Sequence, residues 1–453
     1  MAKKRYYFDY AATTPLDPKV LSVMLPYLKN KFGNPSNLYE LGHQASQAVT
    51  QATKTIANIL GCRPDEFVYT GSATEADNLA ILGTARANKD KGNRIIISQV
   101  EHKGILAVCD ILEKEGFEIV KLPVQKNGLV DLKRLEKELD EKTILVSITS
   151  ADSETGTIQP IAEISKLIEN FRKAHPPTPS PREGARDRSL SSIPFPPGEG
   201  LRGGAFLPYF HTDASQTAGY LDIKVDKLGV DLMILSAHKI YGPKGIGGLY
   251  VRRGTKLNPI IYGGGQGRLR SGTENVPAIV GFAEALRLSE KNKRTEIMRL
   301  KKLRDALEKG IFKSISKVVL NGHAIKRLPN FLNISILDIE GEAMLLYLDK
   351  LGIMVGTGSA CNSQSLTPST VLTALGNPYE YVHGSIRFSL GKENSMEDVK
   401  YVLKHFPDVV KKLRAISPLQ LKMNQTDLIS NPKAFIGNQT PHFLRKSRLG
   451  KSK

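Results

Sequence analysis

The stretch VDLMILSAHKIYGPKGIGGLYV, from Val230 to Val251, indicates the fold class of this chain. Its apolar run, Leu232 to Leu235, is typical of a buried parallel strand. Lys239 follows the strand, and a turn rich in glycine comes next, where a ligand can approach the backbone closely. Because ligands of open α/β sheets bind at the carboxyl ends of strands, the stretch predicts that Lys239 lies at a binding site.

Outward from this stretch, apolar strands alternate with amphipathic helices. The strands include RIIISQ, TILVSITS and YFHTDAS, and the helices include GILAVCDILEKEG and IAEISKLIENFRKA. Such alternation predicts an α/β fold with a mostly parallel sheet, which we assign to a large domain of residues 15–290. From about Thr295 the pattern changes to a long charged helix and short strands. We assign residues 1–14 and 291–418 to a smaller α+β domain.

Two segments differ in composition from both predicted domains. Residues 175–205, HPPTPSPREGARDRSLSSIPFPPGEGLRGGA, are rich in Pro, Gly, Ser and Arg, which predicts an exposed, disordered insertion. Residues 419–453 end in a basic stretch without acidic residues and form a predicted tail. The net charge of +19 could indicate binding to nucleic acid, but no recognition motif accompanies it. We therefore interpret it as a basic, solvated surface.

Other features of the composition indicate the cellular compartment. No apolar run approaches the ~20 residues that span a bilayer, and the N-terminus lacks the apolar segment of a signal peptide. The three cysteines, Cys62, Cys109 and Cys361, are too few and too uneven for a disulfide framework. A cytoplasmic, reducing location fits this usage best.

The chemistry of the site is indicated by residues at several strand ends. Asp213 ends the strand YFHTDAS, and a strand-end lysine with a strand-end aspartate is what pyridoxal phosphate requires: a Schiff-base amine and a partner for the pyridine nitrogen. The start of the helix at Ala73 and Thr74 predicts a phosphate site, although an ordinary capped helix would look the same. His102 follows another strand and could move protons.

Cys361 lies in VGTGSACNSQS, a polar loop rather than a core segment. Free cysteines are usually buried and inert, which fits Cys62 and Cys109. A thiol in a polar loop is suited to react as a thiolate.

With these residues the sequence resembles the pyridoxal-phosphate-dependent cysteine desulfurases of the NifS/IscS type, within the class V aminotransferase superfamily. The matching stretches include YYFDYAATTPLDP, FGNPSN, TGSATEADNLA, EHKGIL, HTDASQTAG, SAHKIYGPKGIGGLYVRR, LRSGTENV, GSACNS and GSIRFSLG. They cover nearly the whole chain outside the insertion and the tail. The resemblance implies the fold-type-I architecture of a pyridoxal 5'-phosphate-dependent transferase and a homodimer.

The resemblance also implies a reaction: L-cysteine becomes L-alanine, and sulfur remains on an enzyme cysteine as a persulfide for iron–sulfur cluster assembly and other products. L-cysteine, a scaffold protein and other sulfur acceptors would be the partners. The implied residues are Lys239, Cys361 and His102 for catalysis; Ala73, Thr74, Ser153, Asp213, Gln216, Ser236, His238, Lys239 and Thr273 for the cofactor; Asn34 and Arg387 for the substrate; and Cys361 as a transient iron–sulfur ligand.

This sequence departs from the family in places. The usual Asn-Asn-Glu is Asp152, Ser153 and Glu154 here, so that a shorter side chain stands where an asparagine approaches the cofactor. A selenocysteine lyase or a class V aminotransferase is the alternative enzyme, although an aminotransferase needs no thiol at Cys361. A non-enzymatic assembly or binding protein on the same scaffold is the remaining alternative.

Overall fold

The computed structural model describes residues 4–176, 207–264, 269–357 and 368–417. Its strands are β1 (Tyr6–Tyr7), β2 (Phe67–Thr70), β3 (Arg94–Ser98), β4 (Glu118–Leu122), β5 (Thr143–Ser147), β6 (Tyr209–Asp213), β7 (Leu232–Ser236), β8 (Gly247–Val251), β9 (Val318–Leu320), β10 (Phe331–Ile336), β11 (Ile353–Met354) and β12 (Ser385–Ser389).

The α-helices of the same residues are α1 (Pro18–Lys29), α2 (Glu40–Leu60), α3 (Ala73–Ala87), α4 (Lys103–Lys114), α5 (Leu132–Glu138), α6 (Ile161–Ala174), α7 (Val225–Leu228), α8 (Val276–Ser314), α9 (Gly341–Lys350), α10 (Thr370–Ala374), α11 (Tyr379–His383) and α12 (Met396–Ile416). A short 3-10 turn, Ala237–Lys239, follows β7 directly. None of the described helices has both the length and the apolar character needed to cross a membrane.

A seven-stranded sheet positions the predicted site. Its strand order is β2-β8-β7-β6-β5-β3-β4; the pairs from β7 to β4 are parallel, whereas β8 is antiparallel to both of its neighbours. The predicted fold class, a mostly parallel α/β sheet, is confirmed. Because β6 and β7 are parallel neighbours, the residues that follow them lie at the same edge of the sheet.

The sheet is buried on both faces. Alternate residues of β3 enter different cores: Ile96 packs with α1, α2 and the first part of α8 on one face, whereas Ile95 and Ile97 pack with α3 and α4 on the other. This alternation is the period of two that a strand dictates. Full burial of such a side chain contributes roughly 1.5–3 kcal/mol, so the sheet is a rigid platform for the loops at its edge.

A second core lies beside the sheet. It contains Phe8 near the N-terminus together with residues of the later part of α8, the antiparallel strands β12-β10-β9, α9 and α12. Strand β1 pairs in parallel with β11, which joins the N-terminus to this second core.

Helix α8 differs from the helix suggested by the charged stretch after Thr295. It begins at Val276, where Asn275 accepts a hydrogen bond from the Ala278 nitrogen as N-cap, and its first turns are apolar and buried. The predicted domain boundary at residue 290 falls inside α8, so the division into two domains stays a prediction. Residues 177–206, which contain most of the predicted insertion, and the predicted tail 419–453 lie outside the described residues.

Candidate functional site

The predicted phosphate site at the start of α3 is assembled from three elements. A Cβ atom on Gly247 of β8 would lie 2.7 Å from the backbone carbon of Ser72 and 2.8 Å from the Ala73 nitrogen. Gly247 is paired in the sheet with Ser236, the last residue of β7. Ser236 is 1% exposed, and its hydroxyl has no hydrogen-bond partner among the described residues. A buried hydroxyl of this kind near a helix N-terminus is suited to bind an anion.

Side chains fix the first turn of α3. Ser72 Oγ accepts a hydrogen bond from the Glu75 nitrogen (3.1 Å), and Glu75 Oε2 accepts one from the Gly71 nitrogen (2.8 Å). Arg270 Nε donates to Glu75 Oε1 at 3.0 Å. Thr74, predicted to bind phosphate, is exposed on this turn, at the positive end of the helix dipole.

Lys239 contacts a segment near the N-terminus, residues 9–14, which we call the N-terminal turn. Lys239 Nζ donates to the carbonyl of Ala11 and, at 3.0 Å, to that of Ala12. Gln216 Nε2 donates to the same Ala11 carbonyl at 3.1 Å. Two side chains predicted to bind the cofactor therefore meet at one acceptor. Sequence reasoning assigned no site residue to the N-terminal turn, although the family motif YYFDYAATTPLDP includes it.

His238 also packs against the N-terminal turn. Its Nδ1 lies 3.0 Å from Thr13 Oγ1, and its carbonyl accepts hydrogen bonds from the nitrogen (3.0 Å) and hydroxyl (2.9 Å) of Thr14. Burial, together with the charges of Lys239 and Lys244, lowers the pKa of His238 to about 4. The imidazole is therefore neutral near pH 7, and its assignment to the phosphate stays a prediction.

Asp213 and His102 share an electrostatic environment with Lys239. Asp213 ends β6, and its Oδ1 accepts from the Ser215 nitrogen at 2.8 Å. His102 is the N-cap of α4, and its Nδ1 accepts from the Gly104 nitrogen at 3.1 Å, so the neutral ring carries its proton on Nε2. Burial lowers the pKa of His102; the charge of Asp213 opposes this effect, and the charge of Lys239 adds to it.

Two buried acids that sequence reasoning missed lie near Asp213. Burial raises the pKa of Glu101 to about 8, although Glu101 Oε1 accepts hydrogen bonds from Ser98 Oγ (2.5 Å) and the Thr149 nitrogen (2.9 Å). Burial also raises the pKa of Asp77 well above its ordinary range, and the charge of Asp213 raises it further. Near pH 7 Glu101 therefore keeps its proton and adds no negative charge beside Asp213, and the raised pKa of Asp77 acts in the same direction.

Arg387 lies on β12 with its guanidinium group held at two nitrogens. Nη1 donates to the Ser153 carbonyl at 2.7 Å, and Nη2 forms an ion pair with Asp9 Oδ1 at 2.6 Å. Nε is buried and has no partner among the described residues. Ser153, predicted to bind the cofactor through its hydroxyl, thus also contacts the predicted substrate residue through its backbone.

Asp152 organises the loop that contains Ser153. Its carboxylate accepts hydrogen bonds from the backbone nitrogens of Glu154 (3.0 Å), Thr155 (2.6 Å) and Thr157 (3.0 Å) and from the hydroxyl of Thr155. Burial raises the pKa of Asp152, and these hydrogen bonds oppose that effect. The family's asparagine at this position is therefore replaced by a side chain that accepts with both oxygens.

Three of the predicted site residues have no described contact with the other predicted site residues. Asn34 Oδ1 accepts a hydrogen bond from the Ser36 nitrogen at 3.0 Å, within its own loop. Thr273 is exposed just before α8. Cys361, predicted as the nucleophile and as a transient iron–sulfur ligand, lies outside the described residues. The described residues contain no cluster of His, Cys, Asp and Glu that could bind a metal ion.

The chain matches one protein family over most of its length. The match to Aminotransferase class-V covers residues 6–175 and 208–402. It leaves out residues 176–207, nearly the same segment as the predicted insertion.

Named relatives and solved structures agree with this match. The chain is 45% identical over 417 residues to a protein named cysteine desulfurase IscS from Dictyoglomus turgidum. This alignment covers 92% of this chain and 97% of the relative. A solved NifS-like protein has a TM-score of 0.79 at 33% identity and covers 90% of this chain and 100% of that protein. A structure of SspA in complex with cysteine has a TM-score of 0.68 at 32% identity, with 85% and 99% of the two chains covered.

Proposed function

The chain belongs to the Aminotransferase class-V family, and on this basis we propose that it is a cysteine desulfurase that uses pyridoxal 5'-phosphate. It converts L-cysteine to L-alanine and retains the sulfur on one of its own cysteines, from which iron–sulfur cluster assembly and other products are supplied. One observation carries the proposal: Asp213 ends β6 and Lys239 follows its parallel neighbour β7, beside the start of α3.

The donor set around Lys239 fits the cofactor. The N-terminus of α3 and the buried hydroxyl of Ser236 suit its phosphate, and the carboxylate of Asp213 suits its pyridine nitrogen. When bound, pyridoxal phosphate supplies an electron sink that weakens the bonds at the substrate Cα. Lys239 supplies the amine that attaches the cofactor and removes the Cα proton. His102, neutral with its proton on Nε2, can donate a hydrogen bond from that nitrogen.

The sulfur step balances without an external oxidant or reductant. The C–S bond of L-cysteine breaks, and its sulfur forms an S–S bond to Cys361. The proton released by the attacking thiol is available to the alanine product. The sum is L-cysteine plus an enzyme thiol giving L-alanine plus an enzyme persulfide. Support for Cys361 comes from its sequence context, GSACNS, in a polar loop.

We also propose a homodimer. Large apolar side chains are exposed on α1 and on the loop that follows it, among them Leu28 (56%), Phe32 (71%) and Leu38 (102%), and Tyr262 is exposed on another loop (78%). Exposed apolar groups of this size are typical of subunit interfaces. Thr273, exposed in the single chain, would then reach the phosphate of the partner subunit.

The remaining partners follow from the reaction. Sulfur acceptors, including an iron–sulfur scaffold protein, would collect sulfur from the persulfide, and a reducing cytosol suits a chain with so few cysteines. The basic charge is assigned to a solvated surface rather than to nucleic acid.

The proposal is tested by alanine formation from L-cysteine in the presence of a reducing thiol. Lys239→Ala should abolish turnover, because it removes the amine that attaches the cofactor and takes the Cα proton. Lys227→Ala, which removes an exposed lysine paired with Asp222, is the matched control and should have wild-type activity. Alanine production by Lys239→Ala at a rate near wild type would contradict the assignment.

The same assay separates the alternatives. A selenocysteine lyase would act on selenocysteine with a much higher kcat/KM than on cysteine. An aminotransferase would consume a keto acid in proportion to the amino acid converted. A non-enzymatic binding protein would release no alanine at all.

A further inference from the structure

We propose that Asp9 is a positioning residue, which holds the guanidinium group of Arg387 in the orientation that recognises the substrate carboxylate. The inference rests on the proposed function, because it assumes that Arg387 binds an amino-acid carboxylate. It adds a residue from the N-terminal turn, far from Arg387 in sequence, to the recognition of substrate.

The first support is the geometry of the ion pair. Arg387 Nη2 lies 2.6 Å from Asp9 Oδ1, and the two side chains are 13% and 21% exposed. A second nitrogen, Nη1, donates to the Ser153 carbonyl at 2.7 Å. Because the guanidinium group is planar, contacts at two of its nitrogens fix the plane as well as the position.

The second support is the space that Gly356 leaves for this pair. A Cβ atom on Gly356 would lie 2.7 Å from Arg387 Nη2 and 2.8 Å from Asp9 Oδ1. The backbones of Gly356 and Arg387 also exchange hydrogen bonds of 3.0 and 2.7 Å. Any side chain at position 356 would displace the ion pair. The geometry of the pair therefore depends on three separate parts of the chain, those that contain Asp9, Gly356 and Arg387.

The third support is the rigidity of Asp9 itself. Its backbone forms a parallel bridge with Ser389, and its carbonyl accepts hydrogen bonds from Tyr7 Oη and the Ala12 nitrogen, both at 3.0 Å. The same turn contacts Lys239 through the carbonyl oxygens of Ala11 and Ala12. One rigid turn therefore contacts both the amine that would attach the cofactor and the guanidinium that would bind the substrate carboxylate.

The contacts leave donors for a ligand. Each terminal nitrogen of an arginine carries two N–H groups, and the contacts with Asp9 and Ser153 use one on each. Arg387 Nε is buried with no partner among the described residues. Asp9 thus orients Arg387 without occupying all of its donors, and loss of Asp9 should weaken carboxylate binding rather than strengthen it.

The test compares L-cysteine with cysteamine, which differs from it only by lacking the carboxylate. Binding to the cofactor-loaded enzyme is followed by the change in cofactor absorbance on rapid mixing, and kcat and KM by alanine formation from L-cysteine. Asp9→Ala should raise the KM and weaken the binding of L-cysteine by about tenfold or more, the equivalent of one lost charge-assisted contact. The kcat value and the binding of cysteamine should stay within about twofold of wild type.

Two further variants keep the test decisive if Asp9→Ala fails to fold. Asp9→Asn retains an oxygen acceptor without the charge and should give an intermediate loss for L-cysteine. Gly356→Ala disturbs the same pair from another segment and should reproduce the selectivity of Asp9→Ala. Asp65→Ala, which removes a carboxylate from an exposed pair with Arg63, is the control and should bind both ligands as wild type does.

The outcomes separate the inference from the proposed function. Equal weakening of L-cysteine and cysteamine would assign Asp9 a merely structural role, and unchanged or tighter binding of L-cysteine would also overturn the inference. A wild-type protein that forms no alanine would overturn the proposed function, whereas the difference between the two ligands would remain measurable by absorbance.

Discussion

At the scale of single residues, burial raises the pKa of two acids that lie near Asp213. Glu101 and Asp77 are each 1% exposed, and each has one oxygen without a hydrogen-bond partner among the described residues. A second carboxylate in such a position would repel the charge of Asp213, on which the pyridine nitrogen would depend. Their raised pKa values lessen that repulsion.

Glu101→Gln tests this through the pH dependence of stability. The pKa of Glu101 is raised from its ordinary value of 4.5 to about 8 in the folded protein, so unfolding releases its proton between these values. Its contribution to the free energy of unfolding is therefore fully present below the unfolded pKa and is lost as pH rises through the folded pKa. Glutamine does not titrate, so the variant should gain stability relative to wild type as pH rises.

The expected gain between about pH 5 and pH 9 is ~2 kcal/mol or more, since each pKa unit is equivalent to ~1.4 kcal/mol. Urea unfolding of both proteins across this range measures it. Glu136→Gln, on the exposed face of α5, is the control and should show no such trend. Parallel stability curves for Glu101→Gln and wild type would show that Glu101 is ionised in the folded protein.

Some of these site residues were predictable from the sequence, and others were not. Lys239 and Asp213 were predictable because each stands at the end of an apolar strand, and neighbouring parallel strands end at one edge of a sheet. The contact of Asp9 with Arg387 joins residues 378 positions apart, and no local pattern encodes it. Glu101 and Asp77 stand in helical or loop sequence, where their burial depends on how α3 and α4 pack.

At the scale of elements, the approach of β8 to α3 shapes the predicted phosphate site. Strand β8 is antiparallel to β7 and brings Gly247 against the backbone of Ser72 and Ala73. The glycine-rich sequence after Lys239 predicted a close approach of a ligand. The structure shows that one of these glycines admits a helix terminus instead.

Gly247→Ala should therefore weaken cofactor binding. The added Cβ would lie under 3.0 Å from backbone atoms of Ser72 and Ala73, so that β8 and the start of α3 must separate. We expect the dissociation constant for pyridoxal phosphate to rise by about tenfold or more, equivalent to ~1.4 kcal/mol. Gly264→Ala is the control, because a Cβ there would meet no atom of the described residues within 4 Å. Equilibrium dialysis that gives equal affinities for the two variants would contradict this account of the site.

Helix α8 shows why element boundaries were harder to predict. The charged stretch after Thr295 indicated a helix, but its start at Val276 lies in an apolar region that packs against α1 and α2. Short apolar segments fit a buried helix and a strand equally well. Only the tertiary packing on the sheet distinguishes them.

At the scale of the whole molecule, the predicted insertion joins two well-fixed ends. Helix α6 ends at Ala174, and β6 begins at Tyr209. Arg172 at the end of α6 donates to the Pro208 carbonyl through Nε (3.1 Å) and Nη2 (2.6 Å), and it also pairs with the buried Asp231. The start of β6, which delivers Asp213, is thus anchored by a residue outside 177–206.

Replacement of residues 177–206 by a Gly/Ser linker of about ten residues should preserve folding, dimerisation and alanine production, because loop length affects stability weakly. Cofactor absorbance, sedimentation and the alanine assay measure the three properties. The same replacement combined with Arg172→Ala should lose cofactor, because the start of β6 then lacks its anchor. Loss of cofactor from the linker variant alone would show that the segment contributes to the site.

The most direct test of the central claim is to mix cofactor-loaded protein with L-cysteine, without any other thiol, and to measure both the alanine released and the mass of the peptide that contains Cys361. We predict one alanine for each sulfur atom gained by that peptide, and neither product with Lys239→Ala. Cys361→Ser should keep the cofactor spectrum but gain no sulfur. A wild-type protein that binds the cofactor and releases no alanine, or that gains sulfur only at Cys62 or Cys109, would contradict the account.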